Sequence, residues 1–160
     1  MNAAVEFYEF HIWSYKTLLE HLEKLPETVL IAEFAEGFRS IGDVLLHVYN
    51  GEHFWRSVLS AKFPYSSLDG NMSIYEWKVL YASLHQTTRE IVLDSSDPAQ
   101  PIQFSSRKGR EMSNTIQEIV QTVVNHGTYH RGNIATMLRQ LGHKSVSSDY
   151  AFYLNDLRSN

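Results

Sequence analysis

The stretch QEIVQTVVNHGTYHRGNIATML, residues 117–138, decides the fold of this chain. Its apolar residues recur at three- and four-residue spacing, the periodicity of one face of an α-helix. The stripe continues beyond both ends of the stretch, so we predict one long helix that buries this face. The stripe consists of Ile116, Ile119, Val120, Val123, Ile134, Met137, Leu138 and Leu141.

Two histidines, His126 and His130, lie on the same face of this helix. A separation of four residues places them one turn apart, about 40° from each other around the axis. Two imidazoles in that arrangement can direct nitrogens at one divalent metal ion. A histidine on an apolar face is more often a hydrogen-bonded core residue, and the metalloprotease pattern HExxH is absent because no Glu follows His126. A third ligand is therefore needed to favour a metal.

The bulk composition indicates one domain and excludes several classes of site. The chain has 160 residues, 43% of them hydrophobic, which is enough for a substantial core. A formal net charge of −4 provides no basic footprint for nucleic acid. We find no apolar run that could span a membrane and no secretion signal, and we expect a cytoplasmic protein. Cysteine is absent, so any metal site must use His, Asp, Glu and water.

Four long helical segments account for most of the chain. Ser40, Ser73 and Thr115 each precede an acidic residue by three positions, the capping-box pattern that begins a helix. A Gly-containing turn between alternating apolar residues predicts a small β-hairpin at 100–114. We predict an all-α fold: a single four-helix-bundle domain over residues 1–160, with the hairpin before the last long helix and a short C-terminal helix. The predicted helices span residues 3–25, 40–63, 73–94, 115–141 and 149–157.

Six further histidines are candidates for a third ligand, and the pattern favours His47. It lies in the middle of the second long helix among apolar residues, where a buried imidazole needs a partner. His11, on the predicted inner face of the first helix, is the competing candidate. The other four have explanations that need no metal. His85 and His143 are predicted at the surface, and His21 lies at a helix end. His53 lies on a different side of the helix that carries His47.

The residues around these histidines resemble the DinB family, part of a wider set of DinB/YfiT-like metalloenzymes. The specific part is NHGTYHRG at residues 125–132. It is supported by HVYNGEHFW at 47–55, by an aromatic first helix with Trp13 and by the closing DYAFYL at 149–154. The resemblance covers nearly the whole chain. It implies a four-helix bundle that holds a divalent metal with three histidines, a thiol-transferase branch that uses low-molecular-weight thiols, and a homodimer.

Carried over to this chain, the family's metal ligands are His47, His126 and His130. Three neutral imidazoles leave a coordination position open, which is the layout of a catalytic rather than a structural metal. Nitrogen ligands suit zinc or nickel, with iron or manganese as alternatives. No side chain stands out as an acid or base, so we assign no catalytic residue beyond a metal-bound water.

The sequence thus favours a divalent-metal-dependent enzyme, a hydrolase or a low-molecular-weight-thiol S-transferase, acting on a small molecule. The alternative is a non-catalytic stress-response or interaction bundle with a structural or vestigial metal. A third hypothesis is a plain bundle without metal, in which His47 and His126 are ordinary core residues. We expect neither a nucleic acid nor a membrane as partner.

Four residues near the histidines have open roles. Asp43 is either a partner of His47 or only a helix cap. Arg131 either binds an anionic group of the substrate or forms a surface ion pair. Gly127 and Gly132 cost helix stability, and we expect them to allow close approach of another helix or to leave room around the metal.

Overall fold

Helices form most of the computed structural model, which describes residues 3–159. The prediction of a mainly helical fold, with a hairpin before the last long helix and a short C-terminal helix, is confirmed. Within residues 3–159, no helix has both the length and the apolar character needed to cross a membrane. The elements are α1 (Ala3–Leu22), α2 (Thr28–Ile31), α3 (Ile41–Leu59), α4 (Ile74–Asp94), β1 (Pro101–Ser105), β2 (Glu111–Thr115), α5 (Ile116–Gln140) and α6 (Tyr150–Ser159).

Reciprocal side-chain caps begin α4 and α5 where the sequence predicts them. The Ser73 hydroxyl accepts the Glu76 N–H at 3.3 Å, and the Glu76 carboxylate accepts the Ser73 N–H at 2.8 Å. Thr115 and Glu118 repeat this exchange at 3.2 and 2.8 Å. Each pair satisfies two backbone donors that a helix leaves open at its start, and so fixes the first residue of the helix.

The four long helices close into a bundle. Helix α1 packs against α4 and α5, and α3 packs against the same two helices. The two strands pair antiparallel, with Phe104 opposite Met112, and lie against α3 and α5. The Phe104 ring contacts Trp55 of α3, with ring centroids 5.4 Å apart. Helix α6 packs on α1 through Tyr153 and Phe10.

Two apolar cores fill the bundle, and a layer with polar side chains lies between them. Along α1, Phe10 belongs to the smaller core and Tyr15 to the larger one. Along α5, the corresponding residues are Val124 and Ile134. The residues between these limits include His11 and both histidines of α5, so the candidate ligands lie at the junction of the two cores.

Two predicted helix ends are wrong. Helix α1 ends at Leu22, because the chain tightens into a turn in which the Leu25 N–H donates to the Leu22 carbonyl at 3.0 Å, just before Pro26. Helix α3 ends at Leu59, four residues before the predicted end, because Ser60 adopts an extended backbone with φ −153° and ψ 119°.

Gly127 permits the close contact between α1 and α5. A Cβ atom at this position would lie 2.6 Å from Cε1 of His11 and 3.1 Å from Cε2 of Tyr15. The predicted role in helix approach is therefore confirmed for Gly127. At Gly132 a Cβ would meet no described atom within 4 Å, so neither helix approach nor crowding explains that glycine.

These two glycines form a matched pair for a stability test. We expect Gly127→Ala to destabilise the protein by about 1–3 kcal/mol, because the new methyl group overlaps a buried imidazole that has no room to move. We expect Gly132→Ala to raise stability by up to about 1 kcal/mol, since alanine is the better helix former and nothing opposes it. Urea unfolding of both variants measures the difference, and equal effects of one sign would contradict this account.

Candidate metal centre

The three histidines named from the sequence come together between α3 and α5. His47 comes from α3, and His126 and His130 come from successive turns of α5. The Nε2 atoms of His47 and His126 are 3.1 Å apart. One ring nitrogen of each histidine lies within 4.8 Å of the other two. We call this group the outer triad.

The outer triad is open to solvent on one side. His130 is buried, His126 is half-buried and His47 is exposed. The expectation that His47 is a deep core residue is therefore wrong: the buried residues beside it are Val48 and Leu45, and His47 projects from the edge of that stripe. An exposed edge gives small molecules access to the point where the three nitrogens converge.

Gly51 makes room for the triad on α3. A Cβ at this position would lie 3.2 Å from Cε1 of His126, which is tighter than an ordinary contact. A glycine within a helix costs about 1 kcal/mol relative to alanine. The structure gives Gly51 a specific reason, because the His126 ring rests directly against the α3 backbone.

Each imidazole of the outer triad has a pKa below its ordinary value, so the neutral form predominates at pH 7. Burial and the neighbouring His130 and His47 together lower the pKa of His126 to about 4. Burial also lowers the pKa of His47, helped by Arg107, and that of His130, helped by His47. Neutral imidazole is the form that binds a metal ion, so the site does not have to lose protons before it can coordinate.

Aromatic and amide side chains wall the triad. The Phe38 ring centroid lies 5.2 Å from that of His47 and 5.3 Å from that of His130. The ring of Tyr129 lies 4.9 Å from His130, and the Asn133 amide nitrogen is 3.2 Å from Nδ1 of His130. Phe38, Tyr129 and Asn133 also line an adjoining cavity of about 360 Å³. The sequence does not predict Phe38 or Asn133 as site residues, because their roles depend on contacts between elements.

The candidate arginine of the sequence analysis is not part of the outer triad. Arg131 donates to Ser148 Oγ at 3.2 Å and to Thr128 Oγ1 at 3.0 Å. Its guanidinium also lies 5.4 Å from the ring centroid of Tyr15 on α1. These contacts tie α5 to α1 and to the segment before α6. At the start of α3 the Asp43 N–H donates to the Ser40 hydroxyl at 3.1 Å, so Ser40 caps the helix but the return contact of the predicted capping box, from the Asp43 carboxylate, is not formed.

A different arginine, Arg107, faces the triad. It lies in the turn of the hairpin, and its positive charge lowers the pKa of both His47 and His126. Its guanidinium is 5.6 Å from the ring centroid of Phe54, which holds the turn near α3. The sequence pattern predicts only that Arg107 lies in a turn. It does not show which helix the turn covers.

His85 and His11 belong to a second group, with Glu52. The predicted surface position of His85 is wrong, since only 4% of the residue is exposed. His85 follows Trp77 and Tyr81 at four-residue spacing, and that periodicity is the signal that places it inside. His11 does not join the outer triad, because its Nε2 lies 3.0 Å from the Glu52 carboxylate.

The remaining histidines belong to neither group. The Nε2 atom of His21 lies 2.7 Å from the carbonyl of Lys144. The Nε2 atom of His53 lies 2.7 Å from Nη2 of Arg56. His143, predicted at the surface, is half-buried in the segment after α5.

The protein is a helical bundle with a hairpin at its side, and three histidines converge between two of its helices. The chain belongs to the DinB family, whose sequence model matches residues 1–157. Protein DinB of Bacillus subtilis (strain 168) is 32% identical to this chain over an alignment that covers 94% of this chain and 93% of that protein.

Two solved structures share the fold. A DinB-like protein from Bacillus cereus ATCC 10987 superimposes with a TM-score of 0.69 at 20% identity, over 88% of this chain and 94% of that one. A DinB-like protein, YjoA, from Bacillus subtilis gives a TM-score of 0.66 at 18% identity, over 91% of this chain and 96% of that one. At these identities the likeness concerns the fold.

Proposed function

We propose that this protein is a metal-dependent enzyme, a hydrolase or a low-molecular-weight-thiol S-transferase, that acts on a small molecule at the outer triad. The observation that carries the proposal is the convergence of three imidazoles at an edge of the bundle that solvent reaches. A purely structural site is normally closed by four protein ligands. The open side leaves space for a substrate.

The outer triad fits a divalent metal by its donors and by its spacing. Two nitrogens about 2.0–2.1 Å from a tetrahedral ion lie roughly 3.3–3.4 Å apart. The 3.1 Å separation of Nε2 in His47 and His126 is close to that value. Nitrogen donors favour zinc or nickel, and iron or manganese also accept them. Such a metal would supply an acidified water for hydrolysis, or would hold a thiol as its thiolate.

The protein's own residues orient, enclose and attract the substrate. Phe38 and Tyr129 present apolar walls next to the triad, and the adjoining cavity has room for a small molecule. Arg107 places a positive charge near the triad that suits a carboxylate on the substrate or on the thiol. Asn133 fixes the ring of His130. A homodimer and a cytoplasmic location are further expectations, which sedimentation and fractionation test.

The first test is metal content. In protein purified without a histidine tag or chelator, we expect His126→Ala to lower the metal content by about one ion per chain relative to the wild type, because the triad loses a ligand. Turnover of esters, amides or thiol–electrophile pairs should fall below about 1% in the same variant. His143→Ala, a half-buried histidine outside both groups, is the matched control and should change neither value.

Two outcomes of this experiment would decide against the proposal. Equal metal content in the wild type and the His126→Ala variant would show that the triad holds no metal. A metal-loaded wild type that turns over nothing in the panel, while His126→Ala loses metal and stability, would favour the non-catalytic alternative.

Asn133 offers a second test. A metal on Nε2 of His130 requires a proton on Nδ1, and a 180° rotation of the Asn133 amide presents its oxygen to accept that proton. We expect Asn133→Ala to weaken metal binding about 10- to 100-fold, since such partners orient the ligand ring. Competition with a chromogenic chelator measures this. Asn125→Ala, an exposed amide on the same helix, is the control, and an equal loss there would contradict the assigned role.

Arg107 provides a test of the electrostatics. We expect Arg107→Gln to raise the affinity for a divalent cation about two- to fivefold at low salt, because one repelling charge is removed, and the gain should shrink in high salt. Lys108→Gln removes a charge from the neighbouring exposed position and serves as the control. An equal gain in both variants would assign the effect to net charge.

A further inference from the structure

The layer between the two cores contains a carboxylate that is almost completely shielded from water. Glu52 of α3 is 2% exposed, and its neighbours His11 of α1 and His85 of α4 are 0% and 4% exposed. An ionised carboxylate buried alone costs several kcal/mol or more. Its charge therefore needs a partner inside the protein.

Two imidazole nitrogens point at the same carboxylate oxygen. Nε2 of His11 is 3.0 Å from Oε2 of Glu52, and Nε2 of His85 is 3.5 Å from the same atom. One ligand atom of each of these residues lies within 4.8 Å of the other two. The Tyr8 hydroxyl donates to the other oxygen, Oε1, at 2.5 Å, so the carboxylate is fixed in orientation. We call Glu52, His11 and His85 the inner group.

Hydrogen bonding alone does not satisfy the inner group. Within residues 3–159, Nε2 of His85 has no hydrogen-bond partner, although it is buried and faces Glu52. A buried polar atom left in this state destabilises the fold unless a ligand satisfies it. Two arginines act on this layer through their charge, Arg56 on Tyr8 and Arg131 on His11. Their hydrogen bonds go to other residues: Arg56 donates to Thr87 at 2.9 Å, and Arg131 to Thr128 and Ser148.

The charge of the inner group also favours a cation. Burial raises the pKa of Glu52, but the neighbouring His85 and His11 lower it by more, and the net result lies well below the usual range. A carboxylate and two imidazole nitrogens are also ligands that zinc accepts. A divalent ion held between them would offset the charge of the carboxylate and occupy one lone pair on each ring.

We propose that Glu52, His11 and His85 form a second metal site, closed to solvent, that takes a divalent ion such as zinc. Two ligand atoms on a tetrahedral zinc lie roughly 3.3–3.4 Å apart. The separations of His11 Nε2 and His85 Nε2 from Glu52 Oε2, 3.0 and 3.5 Å, bracket that value, and the ligand atoms of the two histidines lie within 4.8 Å of each other. Because the three ligands come from three helices, the ion would join α1, α3 and α4 at the junction of the cores. The site shares no residue with the outer triad and does not depend on the proposed enzyme activity.

A cavity of about 420 Å³ borders the inner group between α1 and α4, with Leu19 and Ile12 on one wall and Tyr81 and His85 on the other. Of the three ligands only His85 lines this cavity, and 4% of that residue is exposed. The ion would therefore be enclosed as the protein folds around it.

The experiment isolates the inner group by removing the outer one. The variant His47→Ala/His126→Ala/His130→Ala leaves every residue of the inner group in place. It is unfolded, stripped with chelator and refolded with excess zinc. We expect about one zinc per chain by elemental analysis, and a rise in Tm of about 5–10 °C at a hundredfold excess over Kd. Adding His85→Asn should abolish both effects, whereas adding His143→Ala should change neither.

Each other outcome overturns the proposal. If the triple variant refolds, as judged by circular dichroism, but retains no zinc and shows no shift in Tm, the inner group is a metal-free ion pair between Glu52 and a protonated imidazole. If zinc is retained equally after His85→Asn is added, the ion lies elsewhere on the protein. The first result needs no substitution in the inner group, so a failure of the His85 variant to fold does not protect the proposal.

Discussion

The burial of one carboxylate, that of Glu52, is the constraint on which the rest of this bundle depends. Its partners come from both neighbouring sides: Tyr8 and His11 from α1 and His85 from α4. Removing a partner from a buried charge costs about 3–5 kcal/mol, far more than a typical surface contact. Apolar cores tolerate sliding of one side chain past another, but a directed polar contact does not. The inner group therefore fixes the positions of α1, α3 and α4 along one another's axes.

That setting carries through to the outer triad. Helix α3 holds both Glu52 and His47. The contacts that fix the position of the carboxylate therefore also fix the position of His47. His11 rests against Gly127, the residue that follows His126 on α5. The position of α1 is thus transmitted to the ligand pair on α5. The outer triad is assembled on the surface, but its geometry is determined one layer further in.

Much of the fold followed from local patterns in the sequence, whereas part of the site did not. Caps, periodicity and the turn signal predicted the helices and the hairpin, because each of these is decided within a few neighbouring residues. The grouping of His47 with His126 and His130 followed from the family motif. The polar neighbours of His85 in the sequence predict a surface position, whereas its four-residue spacing from Tyr81 predicts a buried one. The structure shows that the spacing is the better signal. Glu52 is a second example, because it follows the buried Val48 by four residues on the same helix. A charged residue on the buried face of a helix indicates a partner inside the protein.

The backbone at Gly51 and Gly127 forms part of the wall between the inner group and the outer triad. One glycine receives a ring of the outer triad, and the other receives a ring of the inner group. Laboratory evolution aimed at new substrates would therefore meet two fixed points in this wall. Libraries that randomise exposed positions such as Tyr129 and Thr136 can reshape the cavity freely, whereas diversity at the two glycines would mostly produce proteins that no longer assemble either group.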